Sequence, residues 1–163
     1  MIFFTVGTEQ FPFERFIRAA DLVAEKFPKE EVFAQIAENQ FVPKLAKWER
    51  WLPYSEFAKR IADARIVVSH AGAGSLLSCA WIDKVAITLP RLHALGEHVD
   101  DHQVELANKM SGLGHAFLAH SPEEVLDLVQ RYDQAIAQNR ETRTSEPSLA
   151  NALDRWLMKE PIR

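Results

Sequence analysis

Short apolar runs and helical stripes alternate along this chain, and that alternation sets the architecture to expect. Residues 2–6 (Ile-Phe-Phe-Thr-Val) form a nearly unbroken apolar run, the pattern of a strand buried on both faces, and it ends at Gly7-Thr8. Phe13, Phe16, Ile17, Ala20 and Val23 then recur at helical spacing up to Phe27-Pro28. Residues 31–36 predict a second strand, and residues 45–51 a third that closes at Leu52-Pro53. A short helix is expected over residues 55–64, with Ser55 as its N-cap. Residues 65–69 (Arg-Ile-Val-Val-Ser) are the most strand-like run, followed by the turn His70-Ala71-Gly72-Ala73-Gly74 and a helix over residues 75–81. Another buried strand is predicted over residues 85–89, stopped by Pro90. A long loop, 91–99, leads from it into a helix over about 100–111. Gly112 and Gly114 break that helix, and residues 116–119 predict the last strand. Ser121-Pro122-Glu123-Glu124 is a helix start, with Ser at N-cap, Pro at N1 and Glu at N3, and this helix is expected to run to about Asn139.

Strands alternating with helices predict an α/β fold with a parallel sheet covered by helices on both faces. The pattern divides the chain into an α/β domain over 1–139, a polar linker over 140–148 and an amphipathic helix over 149–163. Leu149, Leu153, Trp156 and Leu157 share one side of that helix. That stripe docks either on the domain's own core or on a partner.

Composition adds little to the fold and narrows the function. The chain has 163 residues, within the range of one domain, with 47% hydrophobic and 26% charged residues as in an ordinary globular protein. A net charge of −4 without a clustered basic face argues against a nucleic-acid partner. One cysteine, Cys79, excludes an internal disulfide and fits a reducing compartment. No basic n-region or apolar h-region precedes the first strand, and no run reaches about 18 apolar residues, so a cytoplasmic location is expected.

Two turns fall at the carboxyl ends of predicted strands, where open parallel sheets bind ligands. In the turn through Ser75, Gly72 and Gly74 would let the backbone turn and approach a ligand, and the helix start beyond would favour an anion. Ser75 and His70 are candidate donors to a phosphate. The turn Val6-Gly7-Thr8-Glu9-Gln10 could also offer backbone and hydroxyl donors, or be a turn and nothing more. The 91–103 segment holds His93, His98 and His102 among Glu97, Asp100 and Asp101. It raises the question of a metal site, but no cysteine joins it and such polar groups could equally be solvated or bind sugar hydroxyls. Other chemistries are set aside. No Gly-x-Ser-x-Gly elbow surrounds Ser75, no Gly-Lys-Ser/Thr occurs, and a Gly-x-Gly-x-x-Gly fingerprint would need Gly where Leu77 stands.

Three stretches together carry a resemblance: residues 4–13 (Phe-Thr-Val-Gly-Thr-Glu-Gln-Phe-Pro-Phe), 67–75 (Val-Val-Ser-His-Ala-Gly-Ala-Gly-Ser) and 96–103 (Gly-Glu-His-Val-Asp-Asp-His-Gln). In order and spacing they resemble the nucleotide-sugar domain of the GT-B glycosyltransferases, family 28 C-terminal type, in its small stand-alone form. That form serves as the catalytic subunit of two-subunit transferases of the dolichol pathway and of bacterial exopolysaccharide synthesis, where a β-1,4-glucuronosyltransferase is the most similar. The resemblance implies a Rossmann-like sheet forming the donor half of a GT-B fold. His70, Gly72, Ala73, Gly74, Ser75 and Thr8 would lie at the donor diphosphate, His102 and Gln103 at the donor sugar, and Trp51 and Tyr54 at the base. Trp51 is equally a core aromatic on its own pattern. The sequence departs from the family at Ser78, where relatives carry a ribose-binding Glu, and at Asp83-Lys84-Val85, where relatives have Gly-Lys-Pro. The implied reaction is inverting transfer from a UDP-sugar with no metal or cofactor. The general base would come from a membrane-anchored acceptor-domain subunit that presents a lipid-linked sugar. The implied alternative is a non-catalytic nucleotide-sugar-binding or regulatory subunit.

Overall fold

The computed structural model describes residues 1–143. Six parallel strands run β1 (Ile2–Thr5), β2 (Val32–Gln35), β3 (Lys47–Glu49), β4 (Ile66–Ser69), β5 (Ala86–Thr88) and β6 (Ala116–Leu118), in the spatial order β3-β2-β1-β4-β5-β6. This is the doubly wound, Rossmann-like order, and it reverses between β1 and β4. The helices are α1 (Glu14–Lys26), α2 (Tyr54–Asp63), α3 (Ala73–Trp81), α4 (His102–Gly112), α5 (Pro122–Gln130) and α6 (Tyr132–Arg143). A single 3₁₀ turn, His93–Leu95, lies in the loop after β5.

Two cores, one per sheet face, explain the unbroken apolar runs. Ile2 and Phe4 of β1 with Ile66 and Val68 of β4 pack against Phe16, Ile17 and Val23 of α1 and Val125 and Val129 of α5. Phe3 and Val67 point the other way, onto Ile61 of α2, Leu76 and Cys79 of α3 and Ala107 and Met110 of α4. With both faces covered, successive side chains of a central strand are all buried, so such a strand reads as a run and not as an alternation.

Several boundaries differ from the sequence expectation. The strand expected over 45–51 is confined to Lys47–Glu49, an edge strand whose three residues are exposed. Ser55 is not an N-cap, because α2 already begins at Tyr54 with Pro53 before it. Helix α3 begins two residues early, so Gly74 and Ser75 lie in its first turn. Ser121 caps α5 as expected, its hydroxyl accepting from the Glu124 N–H at 3.2 Å. The helix expected to reach Asn139 is broken at Arg131, and α6 continues to Arg143, four residues into the segment read as a linker. At the break, the Tyr132 hydroxyl donates to the Val85 carbonyl at 2.6 Å, tying the first residue of α6 to the residue before β5. The amphipathic helix expected over 149–163 lies outside the described residues.

Candidate functional site

A cavity of about 610 Å³ opens at the carboxyl ends of β1 and β4, where the strand order reverses. Thr8, Trp51, Tyr54, His70, Gly72, Ala73, Gly74, Ser75, His102 and Gln103 all line it. Every residue singled out from the sequence for a nucleotide-sugar site therefore borders one hollow. Trp51 is resolved by its placement: at 45% exposure it is a wall of the cavity and not part of the core. Tyr54, 78% exposed, stands beside it at the start of α2.

The floor is the β4–α3 turn. Helix α3 starts after Gly72 with no side chain capping it, so its first-turn N–H groups face the cavity end unpaired by any side chain. The left-handed residue of the turn is Ala71, at φ 66°, while Gly72 has ordinary extended dihedrals. The glycine is needed for a different reason. A Cβ at Gly72 would lie 2.1 Å from Nε2 of His70, and one at Gly7 would lie 2.4 Å from it. At Gly74, by contrast, a Cβ would meet nothing within 4 Å.

His70 is fixed by the carbonyl of Thr5, which lies 3.1 Å from Nδ1 and also accepts from the His70 backbone N–H at 3.2 Å. A carbonyl only accepts, so the proton sits on Nδ1 and Nε2 is bare in the neutral ring. Burial, with the Arg91 cation adding to it, pulls the ring's pKa down to about 4, so neutral imidazole is the form at pH 7. The expectation that His70 donates to a phosphate is thus corrected for the free protein: Nε2 is an acceptor until it gains a proton. Ser75 is also committed, its hydroxyl accepting from Ser69 at 3.0 Å and donating to the Gly72 carbonyl at 3.1 Å. Ser78 donates to the Gly74 carbonyl at 2.7 Å.

The two walls are loops, and each is tied down by polar groups, of which the sequence singled out only Glu97 and Gln103, and for other roles. After β1, the Thr5 hydroxyl donates to Gln35 Oε1 at 2.7 Å, and the Gln35 amide donates to the Gly7 and Arg50 carbonyls at 2.9 and 3.0 Å. In the loop after β5, Glu97 accepts bidentately from Arg15 of α1, at 2.7 and 2.8 Å, and from the Leu92 N–H at 2.9 Å. Gln103 Oε1 accepts from the Arg91 N–H at 3.3 Å. A buried strand end followed by a lone arginine and, six residues on, a glutamate was the only signal available for this lock.

The three histidines of that loop do not converge. His93 Nδ1 faces the His98 carbonyl at 3.1 Å, while His98 and His102 both turn Nδ1 to the Asp100 carboxylate, at 3.1 and 2.6 Å. Hydrogen bonds from His102, its backbone N–H first, hold Asp100 below the usual carboxylate range, and Asp100 raises His102 in turn. Among the described residues no three His, Cys, Asp or Glu side chains are grouped as a metal ion would need. No helix among them is long and apolar enough to cross a membrane.

Comparison with known proteins agrees with this geometry. Residues 1–155 match the model of the glycosyltransferase family 28 C-terminal domain. A UDP-N-acetylglucosamine transferase subunit, ALG13, of Candida glabrata is 36% identical over 83 residues, covering 48% of this chain and 39% of that protein. Among solved structures, the glycosyltransferase of kitacinnamycin superposes with a TM-score of 0.60 at 16% identity, over 98% of this chain and 43% of its own. The calicheamicin glycosyltransferase CalG4 gives 0.59 at 16%, over 96% and 42%, and MurG of Acinetobacter baumannii 0.54 at 18%, over 97% and 49%. The chain thus spans less than half the length of each of these proteins. The structural likenesses carry the α/β, Rossmann-like fold alone, and the sequence match carries the family: this chain belongs to the glycosyltransferase family 28 C-terminal domain family.

Proposed function

We propose that this chain is the donor-binding subunit of a two-subunit inverting glycosyltransferase that takes a sugar from a UDP-sugar. The observation that carries the reading is the uncapped α3 N-terminus at the strand-order switch point, facing a cavity with exposed aromatic rings on its wall. Backbone N–H groups there would receive the diphosphate, Trp51 and Tyr54 would take the uracil, and His102 and Gln103 the sugar. Departure of UDP leaves negative charge on the β-phosphate, and preoriented N–H groups with the helix dipole stabilise that charge as it develops. The reaction so read is a single displacement: the acceptor oxygen bonds the anomeric carbon as the bond to UDP breaks, and a base takes the hydroxyl proton. No metal or cofactor enters this scheme.

The acceptor site and the base are assigned to a second, membrane-anchored subunit that presents a lipid-linked sugar. The Candida glabrata relative, a transferase subunit by name, supports a divided enzyme, and the resemblance to the bacterial exopolysaccharide subunit favours glucuronic acid as the donor sugar. Such a subunit would work at the cytoplasmic face of a membrane. Calorimetry with UDP, and transfer assays with and without the acceptor-presenting subunit, test the reading. Micromolar to millimolar UDP binding by the chain, with turnover only in the pair, is expected. A folded chain that binds no UDP even with its partner would remove it. Ser78, whose hydroxyl turns back to the Gly74 carbonyl instead of offering a carboxylate to a ribose, keeps a second reading in view: a nucleotide-sugar-binding subunit without catalysis. Transfer by the pair decides against it.

A further inference from the structure

We propose that Arg91 is the positioning residue for the sugar end of the donor site, holding the loop after β1 and the loop after β5 at one fixed separation. The inference rests on the UDP-sugar reading above and adds to it a residue that does not line the cavity. Arg91 is fully buried, the largest side chain in the structure so enclosed. Its guanidinium makes no direct contact with a carboxylate. Nη1 donates to the carbonyls of Phe11 and Glu97, at 2.8 and 3.0 Å, and at 3.4 Å to that of Pro12, while Nη2 donates to Val6 at 3.1 Å. Three of these carbonyls belong to the loop that carries Gly7 and Thr8, and the fourth to the loop that leads to His102 and Gln103.

Burying a cation is costly, and here the cost is visible: Nε has no partner, and desolvation draws the pKa of the group down to about 10. An apolar side chain would fill the same volume more cheaply. What it could not do is satisfy main-chain carbonyls of two loops at once, which a planar fork of donors does and a single ammonium does less well. Phe13 lies under the fork, 4.6 Å from its carbon to the ring centre, and fixes its plane. The backbone N–H of Arg91 donates to Gln103 Oε1, so Arg91 sets both the span of the walls and the orientation of the Gln103 amide. Arg15, reaching from α1 to Glu97 and the Pro90 carbonyl, braces the second loop from outside.

Full-length Arg91→Lys and Glu97→Gln proteins test this with two readouts. The first is hydrogen exchange of residues 7–12 and 92–101. The second is calorimetry with UDP, UDP-glucuronic acid and UDP-N-acetylglucosamine. Arg91→Lys should speed exchange in both loops about tenfold or more while β1 and β4 stay protected. Affinity for the UDP-sugar that the wild type prefers should fall on the order of ten- to a hundredfold, and UDP affinity, which depends on Thr8 in the first loop, by clearly less, on the order of a fewfold. Glu97→Gln, which keeps the four carbonyl contacts of Arg91, should move both readouts the same way by less, and it carries the test if Arg91→Lys does not fold. Loosened loops with unchanged preference for UDP-sugar over UDP would overturn the positioning role, as would equal weakening of both ligands. A wild-type chain that binds neither ligand overturns the UDP-sugar reading itself, and it is distinguishable because the failure is not the variant's.

Discussion

The imidazole of His70 donates from Nδ1 to the Thr5 carbonyl at 3.1 Å, joining the ends of β4 and β1 where the order of strands reverses. The bond assigns the tautomer, aims a bare Nε2 into the gap between Gly7 and Gly72, and leaves those two positions no room for a side chain. One ring thereby links the β4–α3 turn to the loop after β1. It also makes the site sensitive to protons, because an anion bound near Nε2 would favour the imidazolium that burial now disfavours.

The same burial ties stability to pH. The His70 pKa falls from 6.5 to about 4 on folding, so the unfolded chain binds the extra proton first. The neutral ring's contribution is present in full above pH 6.5 and is lost as pH falls through the window down to about 4. Over that window it amounts to about 3 kcal/mol. Denaturant unfolding between pH 7 and 4 should show wild type losing stability more steeply than His70→Asn, whose amide can still donate to Thr5. Parallel profiles would show that His70 is not the titrating group.

Lys84 offers a stability test away from the site. Its ammonium donates to the carbonyls of Ile61, Ala62 and Ala64, the last at 2.5 Å, closing the C-terminal end of α2. A cation there meets both the orphan carbonyls and the negative end of the helix dipole. Lys84→Met keeps the aliphatic stem and removes the cap. It should lower unfolding free energy by about 1–3 kcal/mol in thermal or urea melts, with UDP binding unchanged. No loss of stability would mean that water replaces the ammonium at no cost.

The order of strands and helices was legible because both faces of the sheet are covered, which turns each central strand into a run of apolar letters between turn residues. The β4–α3 turn was legible because Gly72 and Gly74 fall where a strand gives way to a helix. What was not legible shares one physical cause. Arg91, Glu97 and Gln35 are single polar residues, ordinarily solvated, that are buried here only because distant segments meet around them, with Arg15 half-buried beside Glu97. Nothing local marks Arg91 as different from an exposed loop arginine. Ser55, the polar residue that suits a cap, lost that place because Pro53, with its φ already set, takes the cap position two residues sooner. The direction of the His70 ring could not be read either, since it depends on the Thr5 carbonyl 65 residues away.

Gln103 serves the loop and, on the reading proposed here, the sugar. Its Oε1 is held by the Arg91 N–H, so Gln103→Ala removes both an internal acceptor and a ligand contact. UDP-sugar use should weaken by about 1–3 kcal/mol, with UDP alone bound nearly as before. Gln103→Glu separates the two roles, since a carboxylate still accepts from Arg91 but offers no donor to a hydroxyl. It should retain the loop's exchange protection and still lose sugar affinity. If the two variants weaken UDP and UDP-sugar alike, Gln103 is not a sugar contact.

Gly72 and Gly74, two residues apart in the same turn, should fail in opposite ways. A methyl at Gly72 would stand 2.1 Å from His70 Nε2 and has no space without expelling the ring. Gly72→Ala should therefore lower stability by about 1–3 kcal/mol, the scale of overpacking, and release the His70–Thr5 bond. A side chain at Gly74 meets no protein atom within 4 Å and enters the cavity in the first turn of α3. Gly74→Val should leave stability near wild type, since valine is a better helix former than glycine by about a few tenths of a kcal/mol, yet it would occupy the space that a diphosphate needs beside the helix N–H groups. Melting temperature near wild type with UDP binding abolished is the expected result for Gly74→Val. Measuring both variants by thermal melt and by UDP calorimetry places the ligand. A Gly74→Val protein that binds UDP like wild type would move the diphosphate away from the α3 N-terminus, and the proposed donor site with it.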